Sequence, residues 1–455
     1  MTAAPITDHS KRERRRVTAA TLIGTTIEWY DYFVYAAMAG LLFGDLFFKG
    51  AGPEFKSVIT FATVGVSFLF RPLGAIIAGH IGDRFGRRVA LMITLITMGV
   101  ATALIGLLPT YDAIGIAAPI LLLTLRVLQG LSAGGEWGGA ALLAVEHAPA
   151  GQRGVFGAAP QLGVPAGMVL ASGIMALMTG VISPGDAFQE WGWRVPFLLS
   201  VFLIVVGYLV RRSVEESPVF TEIAERKAQT KAPLKELFRK HWRLVILAAL
   251  TFIGMNATGY LTTGGFIQKY ATDDPLNMDT TFVLLAVLGA AIAQLLFTWW
   301  AGALSDKIGR RTTYLIGWVL LAATMFMLFP LVNTGKPGML LLGLLIMTPG
   351  LGMTYGPQPA WFAELFPASV RFSGVSVTYA LGSILGGAFS PMISQVLLER
   401  TGSANAIAYY LVGTMVIAFI ATLLLKDRSG IDLGMDNEEE QLRSPIYSLR
   451  KRAQA

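Results

Sequence analysis

The sequence predicts an all-α polytopic membrane protein, with twelve transmembrane helices arranged as two pseudo-symmetric six-helix bundles. Three observations lead there. The 455-residue chain is 54% hydrophobic and only 14% charged, whereas a soluble globular chain carries roughly 25% charged residues, so lipid must be the solvent for most of its surface. Apolar runs of bilayer-crossing length, about 20 residues each, recur along nearly the whole chain. They are continuous, without polar/apolar alternation, so the spans are helices and not barrel strands. A ten-residue pattern also occurs twice, six spans apart, which marks an internal repeat.

Taken in order, residues 1–17 form a basic arm with Lys11, Arg12, Arg14, Arg15 and Arg16. The apolar stretch after it is too long for a signal-peptide core, so the first span is expected to be retained. Residues 18–211 make the first bundle, with spans near 18–46, 57–79, 89–109, 115–146, 153–181 and 191–211. Residues 212–242 are a charged linker in which Phe220, Ile223, Leu234, Leu237, Phe238 and Trp242 are spaced as short amphipathic helices for a membrane surface. Residues 243–425 make the second bundle, with spans near 243–270, 280–302, 312–332, 338–363, 371–398 and 405–425. The tail, 426–455, is polar, and its composition predicts mostly disorder.

Charge placement sets the orientation. With the N-terminus inside, about 28 of the 36 Lys and Arg residues fall on the cytoplasmic side, about six outside and about two within spans. Both termini are therefore expected in the cytoplasm, and the net charge of +7 needs no nucleic-acid partner. There are no cysteines, which removes disulfides, thiolate metal sites and cysteine nucleophiles together. The four histidines (His9, His80, His147, His241) are scattered, and there is no P-loop and no nucleophile elbow. Neither metal, cofactor nor enzymatic activity is expected.

The repeated pattern reads G-x-x-x-D-[RK]-x-G-R-R. Gly79, Asp83, Arg84, Gly86, Arg87 and Arg88 carry it between spans two and three, and Gly302, Asp306, Lys307, Gly309, Arg310 and Arg311 between spans eight and nine. A fainter echo pairs Glu146 and Arg153 with Glu364 and Arg371. This six-helix unit used twice resembles the major facilitator superfamily. Further marks narrow the resemblance: Glu28 to Tyr32 in span one, Phe70 to Gly74 in span two, Arg126, Gln129 and Gly134 to Gly138 in span four, Trp193 to Phe197 opening span six, and Glu215 to Pro218 after it. Together they resemble the metabolite:proton symporter family, which carries citrate, 2-oxoglutarate, shikimate or proline/betaine. Gly163, Pro165 and Gly167 in span five depart from the antiporter pattern of that superfamily and favour symport.

Five ionisable residues lie well inside spans: Glu28, Asp31, Arg71, Arg126 and Glu136. Facing lipid, each would cost about 2.5 to 3.5 kcal/mol on translocon scales, so they should face the bundle interior. Glu28 and Asp31 lie one turn apart on a similar face. Two carboxylates in a poorly hydrated place disfavour double ionisation, which suits a proton carrier. Asp31 leads, Glu28 follows, and Glu136 is assigned to coupling. A permanent ion pair with Arg71 or Arg126 is the competing role. An arginine at mid-span keeps its charge, and its planar fork matches a carboxylate. Arg126 is the first candidate for a substrate anchor, with Gln129 almost a turn away and Arg71 second. Tyr30, Asn256, Tyr260 and Gln358 supply polar and aromatic lining. An arginine that trades a protein carboxylate for a substrate carboxylate would couple the two binding events.

The resemblance further implies that the repeated loops form a cytoplasmic gate. Gly79, Asp83, Arg84, Gly86, Arg87 and Arg88, with Asp306, Lys307, Arg310 and Arg311, would hold the outward-open state by salt bridges. The expected function is proton-coupled symport of a small organic acid by a monomer in the inner membrane, with protons, the acid and the bilayer as its partners. The alternative is uptake of a zwitterionic osmolyte such as proline or betaine. An osmosensing porter would be expected to carry a long C-terminal heptad repeat, and the tail holds Gly430, Gly434 and Pro445 instead. A passive channel has no need of a titratable pair at mid-depth.

Overall fold

The computed structural model describes residues 9–434, 437–444 and 446–448, apart from 86, 135, 147, 150, 213–232 and 264. The first bundle comprises α1 (His9–Leu41), α2 (Pro53–Phe85), α3 (Arg87–Leu107), α4 (Ala117–Glu146), α5 (Arg153–Ile182) and α6 (Phe188–Leu209). The second comprises α7 (Pro233–Thr263, continued as Phe266–Thr272), α8 (Thr280–Ile308), α9 (Arg310–Val332), α10 (Pro337–Leu365), α11 (Ala368–Thr401) and α12 (Ala404–Leu424). Ten of the twelve contain a long, strongly apolar window. α1 and α3, at 33 and 21 residues, also reach the roughly 20 residues that a bilayer requires. Among the described residues there is no β-strand, only an isolated bridge between Leu425 and Tyr447. Large apolar side chains such as Val181, Phe202, Leu296 and Trp299 stand exposed on the outer face, as a lipid-facing surface demands.

Glycine sets how closely the helices approach. A Cβ at Gly130 or Gly134 of α4 would strike the backbone oxygens of Ser67 or Arg71 on α2. The second half repeats the device: a Cβ at Gly352 or Gly356 of α10 would strike the backbone of Phe297 or Thr298 on α8. Such small-residue seams let membrane helices pack where lipid gives no hydrophobic drive. Between halves, α5 lies along α8 and α2 along α11. The bundle is closed at both ends. At one, Gly40 of α1 touches Gly265 of α7, and Gly65 of α2 touches Ala388 of α11. At the other, Gly154 of α5 abuts Gly302 of α8.

Three expectations need correction. α7 starts at Pro233 and not at 243, and Leu237 is buried while Phe238 and Trp242 remain exposed. Of the proposed amphipathic linker, 213–232 lies outside the described residues, and so do residues 1–8 of the basic arm. α7 also breaks at Gly265, whose φ of +88° suits glycine. The largest difference is the tail, which is folded over most of 426–448. The Arg428 guanidinium is buried and donates to the carbonyls of Leu365 and Gln441. Burial pulls it below its ordinary pKa, and the Glu364 charge opposes that shift. Gln441 accepts from Ala368 N at 2.9 Å and Arg371 Nη2 at 3.0 Å, and Leu433 O accepts from Arg371 Nη1 at 2.8 Å. Polar composition signals disorder only when the polar groups lack partners, and here they have them.

Candidate functional site

The five charges predicted inside spans are all buried, and of the ion pairs the sequence offered, Glu28 with Arg71 is present while none forms at Asp31 among the described residues. α1 projects Glu28, Trp29, Asp31, Tyr32 and Tyr35 inward over two turns. Glu28 faces Arg71 of α2, with Oε1 to Nη2 at 3.7 Å. The Arg71 guanidinium carbon lies 4.3 Å from the Phe68 ring centroid and 5.4 Å from that of Trp29. Asp31, fully buried, has neither arginine as its partner. Its Oδ1 accepts from Ser200 Oγ at 2.5 Å, and Thr102 lies beside it.

Arg126, 1% exposed, is held by neutral oxygens. Nε donates to Thr63 O at 3.2 Å, Nη2 to Val64 O and Ser67 Oγ at 2.8 Å each, and Nη1 to Gln129 Oε1 at 2.8 Å. The Tyr35 ring centroid lies 3.8 Å from its guanidinium carbon. Among the described residues no carboxylate comes within ion-pair distance of it. The link to Asp31 is indirect: Gln129 Nε2 donates to Thr102 Oγ1 at 2.7 Å, and Thr102 neighbours Asp31. The arginine exchange expected at Asp31 is thereby corrected. Thr102 itself donates to Met98 O at 3.0 Å and, among the described residues, Asp31 Oδ2 has no hydrogen-bond partner, so Asp31 and Arg126 are neither ion-paired nor joined by an unbroken hydrogen-bonded chain.

From the second half, Tyr260 stacks on Trp29 with ring centroids 6.0 Å apart and packs on Phe68 and Tyr32 at 5.0 and 5.4 Å. Asn256, one turn away on α7, is buried and its Nδ2 has no partner. Gln358 accepts from Gln161 Nε2 of α5 at 2.8 Å, which ties the two halves together. Gln161 in turn accepts from Trp137 Nε1 at 2.9 Å, and the Trp137 ring stacks on Tyr379 at 3.6 Å. Glu136, buried at the start of the second part of α4, adjoins this layer. Tyr30 does not join it, since its hydroxyl is committed to Pro196 O at 2.6 Å. A cavity of about 10 Å³, room for one water, lies between α5, α7, α8 and α10 beside Met168, Thr262, Gln294 and Thr348.

At the end holding the repeated loops, Asp306 accepts from the backbone amides of Gly154 and Val155 at 2.8 and 3.0 Å, capping α5 from the other half. Arg310 pairs with Asp306 at 2.7 Å and donates through Nε and Nη2 to both oxygens of Glu364, each at 3.2 Å. Arg153 adds a contact to Glu364 at 3.5 Å. Two predicted members are elsewhere. Lys307 is exposed, and Arg311 donates from its backbone to Asp427 and from its side chain to Leu423 O. In the first copy, Gly86 and the side chains of Asp83, Arg84, Arg87 and Arg88, with the surroundings of Gly79, lie outside the described residues. Arg153 and Glu364 were not in the predicted gate, although the fainter echo with Glu146 and Arg371 was the signal for them. Thr102, Gln161 and Ser200 were also missed, because nothing in their spacing sets them apart from ordinary span residues, and Trp29 was read only as part of the Glu28 to Tyr32 mark and given no role.

Residues 17–240 match the family model described as Sugar (and other) transporter, and residues 266–453 match Major Facilitator Superfamily. The chain is similar to the inner membrane metabolite transport protein YhjE of Escherichia coli (strain K12), 39% identical over 90% of this chain and 94% of that protein. It is also similar to the shikimate transporter of the same organism, at 35% identity over 91% and 94%. The proline/betaine transporter of that strain is 33% identical over 91% of this chain and 83% of that protein. Among solved structures, the proton:xylose symporter XylE bound to 6-bromo-6-deoxy-D-glucose superimposes with a TM-score of 0.73 at 18% identity, covering 96% of this chain and all of that one.

Proposed function

The chain belongs to the major facilitator superfamily of membrane transporters, and on that premise we propose that it takes up a small organic acid together with a proton by alternating access. The observation that carries this reading is Arg126, a fully buried cation held by four neutral oxygens and no carboxylate among the described residues. A charge kept at that depth without a counter-ion is costly, and an anionic substrate offsets the cost. Asp31 is the leading proton carrier, with Glu28 second. Thr102 lies beside Asp31, and Gln129 bonds both Thr102 and Arg126. They are the path by which a change of protonation at Asp31 reaches Arg126 once the Thr102 hydroxyl turns from Met98 O to the carboxylate. Arg71 binds the substrate carboxylate when Glu28 yields it, while Gln129, Asn256, Tyr260 and Gln358 line the site and Glu136 couples its two layers. Tyr30, already committed to Pro196, is left out.

The Asp306–Arg310–Glu364–Arg153 cluster is the cytoplasmic gate, closed here, with both termini in the cytoplasm and the chain acting as a monomer in the inner membrane. A second reading, uptake of proline or a betaine, draws on the aromatic box of Trp29, Tyr32, Phe68 and Tyr260 and on the proline/betaine relative. The deciding experiment is uptake into proteoliposomes of a panel of organic acids, betaines and a neutral sugar, with and without an imposed pH gradient. Acid accumulation that needs the gradient and collapses with a protonophore is expected. Accumulation of a betaine or the sugar, and of no acid, refutes it.

A further inference from the structure

The central layer holds hydrogen-bond donors that the protein itself leaves without acceptors. Trp29 Nε1, Arg71 Nε and Asn256 Nδ2 have no partner, in side chains at most 5% exposed. They come from both halves, Trp29 and Arg71 on α1 and α2, and Asn256 on α7. One ring connects them. Tyr260, a turn from Asn256, stacks on Trp29 with 17° between the planes, and the Arg71 guanidinium carbon lies 5.4 Å from the Trp29 centroid and 4.3 Å from that of Phe68. At Gly387 of α11 a Cβ would meet both the Tyr260 ring and Asn256, so the two α7 side chains share one wall. A buried donor without an acceptor is penalised, and donors gathered about one platform are satisfied together by a ligand rich in oxygen.

The same rings resemble a box for a quaternary ammonium group, but a fixed cation already fills it. The Arg71 guanidinium carbon is 4.3 Å from the Phe68 centroid, and its charge is matched by Glu28. A trimethylammonium group placed there must displace the Arg71 guanidinium from the Phe68 and Trp29 rings, and it offers no acceptor to Trp29 Nε1 or Asn256 Nδ2.

We infer that Trp29 and Asn256 are specificity-determining residues, each donating to an uncharged hydroxyl or carbonyl oxygen of the substrate, so that the site selects an oxygenated acid over its deoxygenated analogue and over a betaine. This rests on the proposed acid symport and adds which atoms, beyond the carboxylate, are read. Sites built to hydrogen-bond a substrate hydroxyl discriminate strongly against analogues that lack it, because the site's own donors are then stranded.

The test uses the full-length protein in proteoliposomes under an imposed proton gradient. The probes are glycine betaine and three pairs of acids that differ in oxygenation: citrate and tricarballylate, oxoglutarate and glutarate, and a trihydroxylated cyclohexene carboxylate and its bare parent. Within at least one pair the oxygenated member is preferred by about tenfold or more in kcat/KM, and betaine does not accumulate. Trp29→Phe and Asn256→Leu each lower the oxygenated-over-bare preference of that pair in kcat/KM about tenfold. A wild-type gel-filtration profile of each variant reports a folded protein. Equal handling of both members of every transported pair, or variants that weaken both members alike, overturns the inference while leaving acid symport in place. Betaine uptake with no acid transported, or no accumulation of any probe, overturns both.

Discussion

Arg126 donates to four separate oxygens on α2 and α4 through a rigid fork. A lysine keeps the charge and cannot keep that geometry, because an ammonium on a flexible stem reaches one or two of those acceptors at a time. Arg126→Lys is therefore expected to lower acid uptake by at least about tenfold, a loss typical of a broken charge-assisted site, with an unchanged gel-filtration profile. Wild-type uptake by the lysine variant would reduce Arg126 to a fixed charge of no particular shape. Asp31→Asn is nearly isosteric and still accepts from Ser200 through its amide oxygen, so it removes the titrating group and little else. Accumulation driven by the pH gradient should vanish, while exchange of labelled for unlabelled acid continues. Surviving gradient-driven accumulation would move the proton to Glu28. The charged positions were legible in the sequence because span interiors are otherwise apolar. Their partners were not, since the acceptors at Arg126 include the backbone carbonyls of Thr63 and Val64, which no residue type announces.

Helix by helix, hydropathy located the spans to within a few residues wherever apolar composition and helix length coincide. The predicted 153–181 and 405–425 compare with Arg153–Ile182 and Ala404–Leu424. It missed what depends on torsion or pairing, such as the break of α7 at Gly265 and the folded tail that Arg428 and Gln441 hold together. The α2–α4 seam shows how a single glycine carries structural weight. In Gly134→Leu the new side chain starts from a Cβ driven into Arg71 O, so α4 must move off α2 and disturb Arg71 and Arg126 together. A loss of about 1–3 kcal/mol is expected from overpacking of this kind, seen as a lower unfolding temperature in detergent. Gly413→Ala in α12, where a Cβ meets nothing, serves as the control. It should be neutral or stabilising by about 0.5–1 kcal/mol, the usual cost of glycine in a helix interior. Equal effects at the two positions would mean that the close approach of α2 and α4 contributes nothing.

For the whole molecule, alternating access requires that the closed end be held by bonds that release together, and the Asp306 cluster has that form. Its carboxylate spans the two halves by accepting from the first amides of α5, where the exposed N–H groups and the helix dipole favour negative charge. The same carboxylate fixes Arg310, which then grips Glu364 with two bonds, and Glu364 also meets Arg153. Asp306→Asn keeps the shape and removes the charge from both tasks. A helix-terminal charge is worth about 0.3–1 kcal/mol when exposed and up to about 2 when partly buried, enough to change the population of an opened end severalfold. Hydrogen exchange in lipid nanodiscs should therefore quicken at the amides of Gly154 and Val155, while the amides at the Gly40 and Gly265 end keep their wild-type rates. Slower exchange at that far end would accompany it if closing there and opening here are one rigid motion. Unchanged exchange at Gly154 and Val155 would instead place the restraint on Gly154 packed against Gly302, a contact of backbone shape that no charge substitution can release.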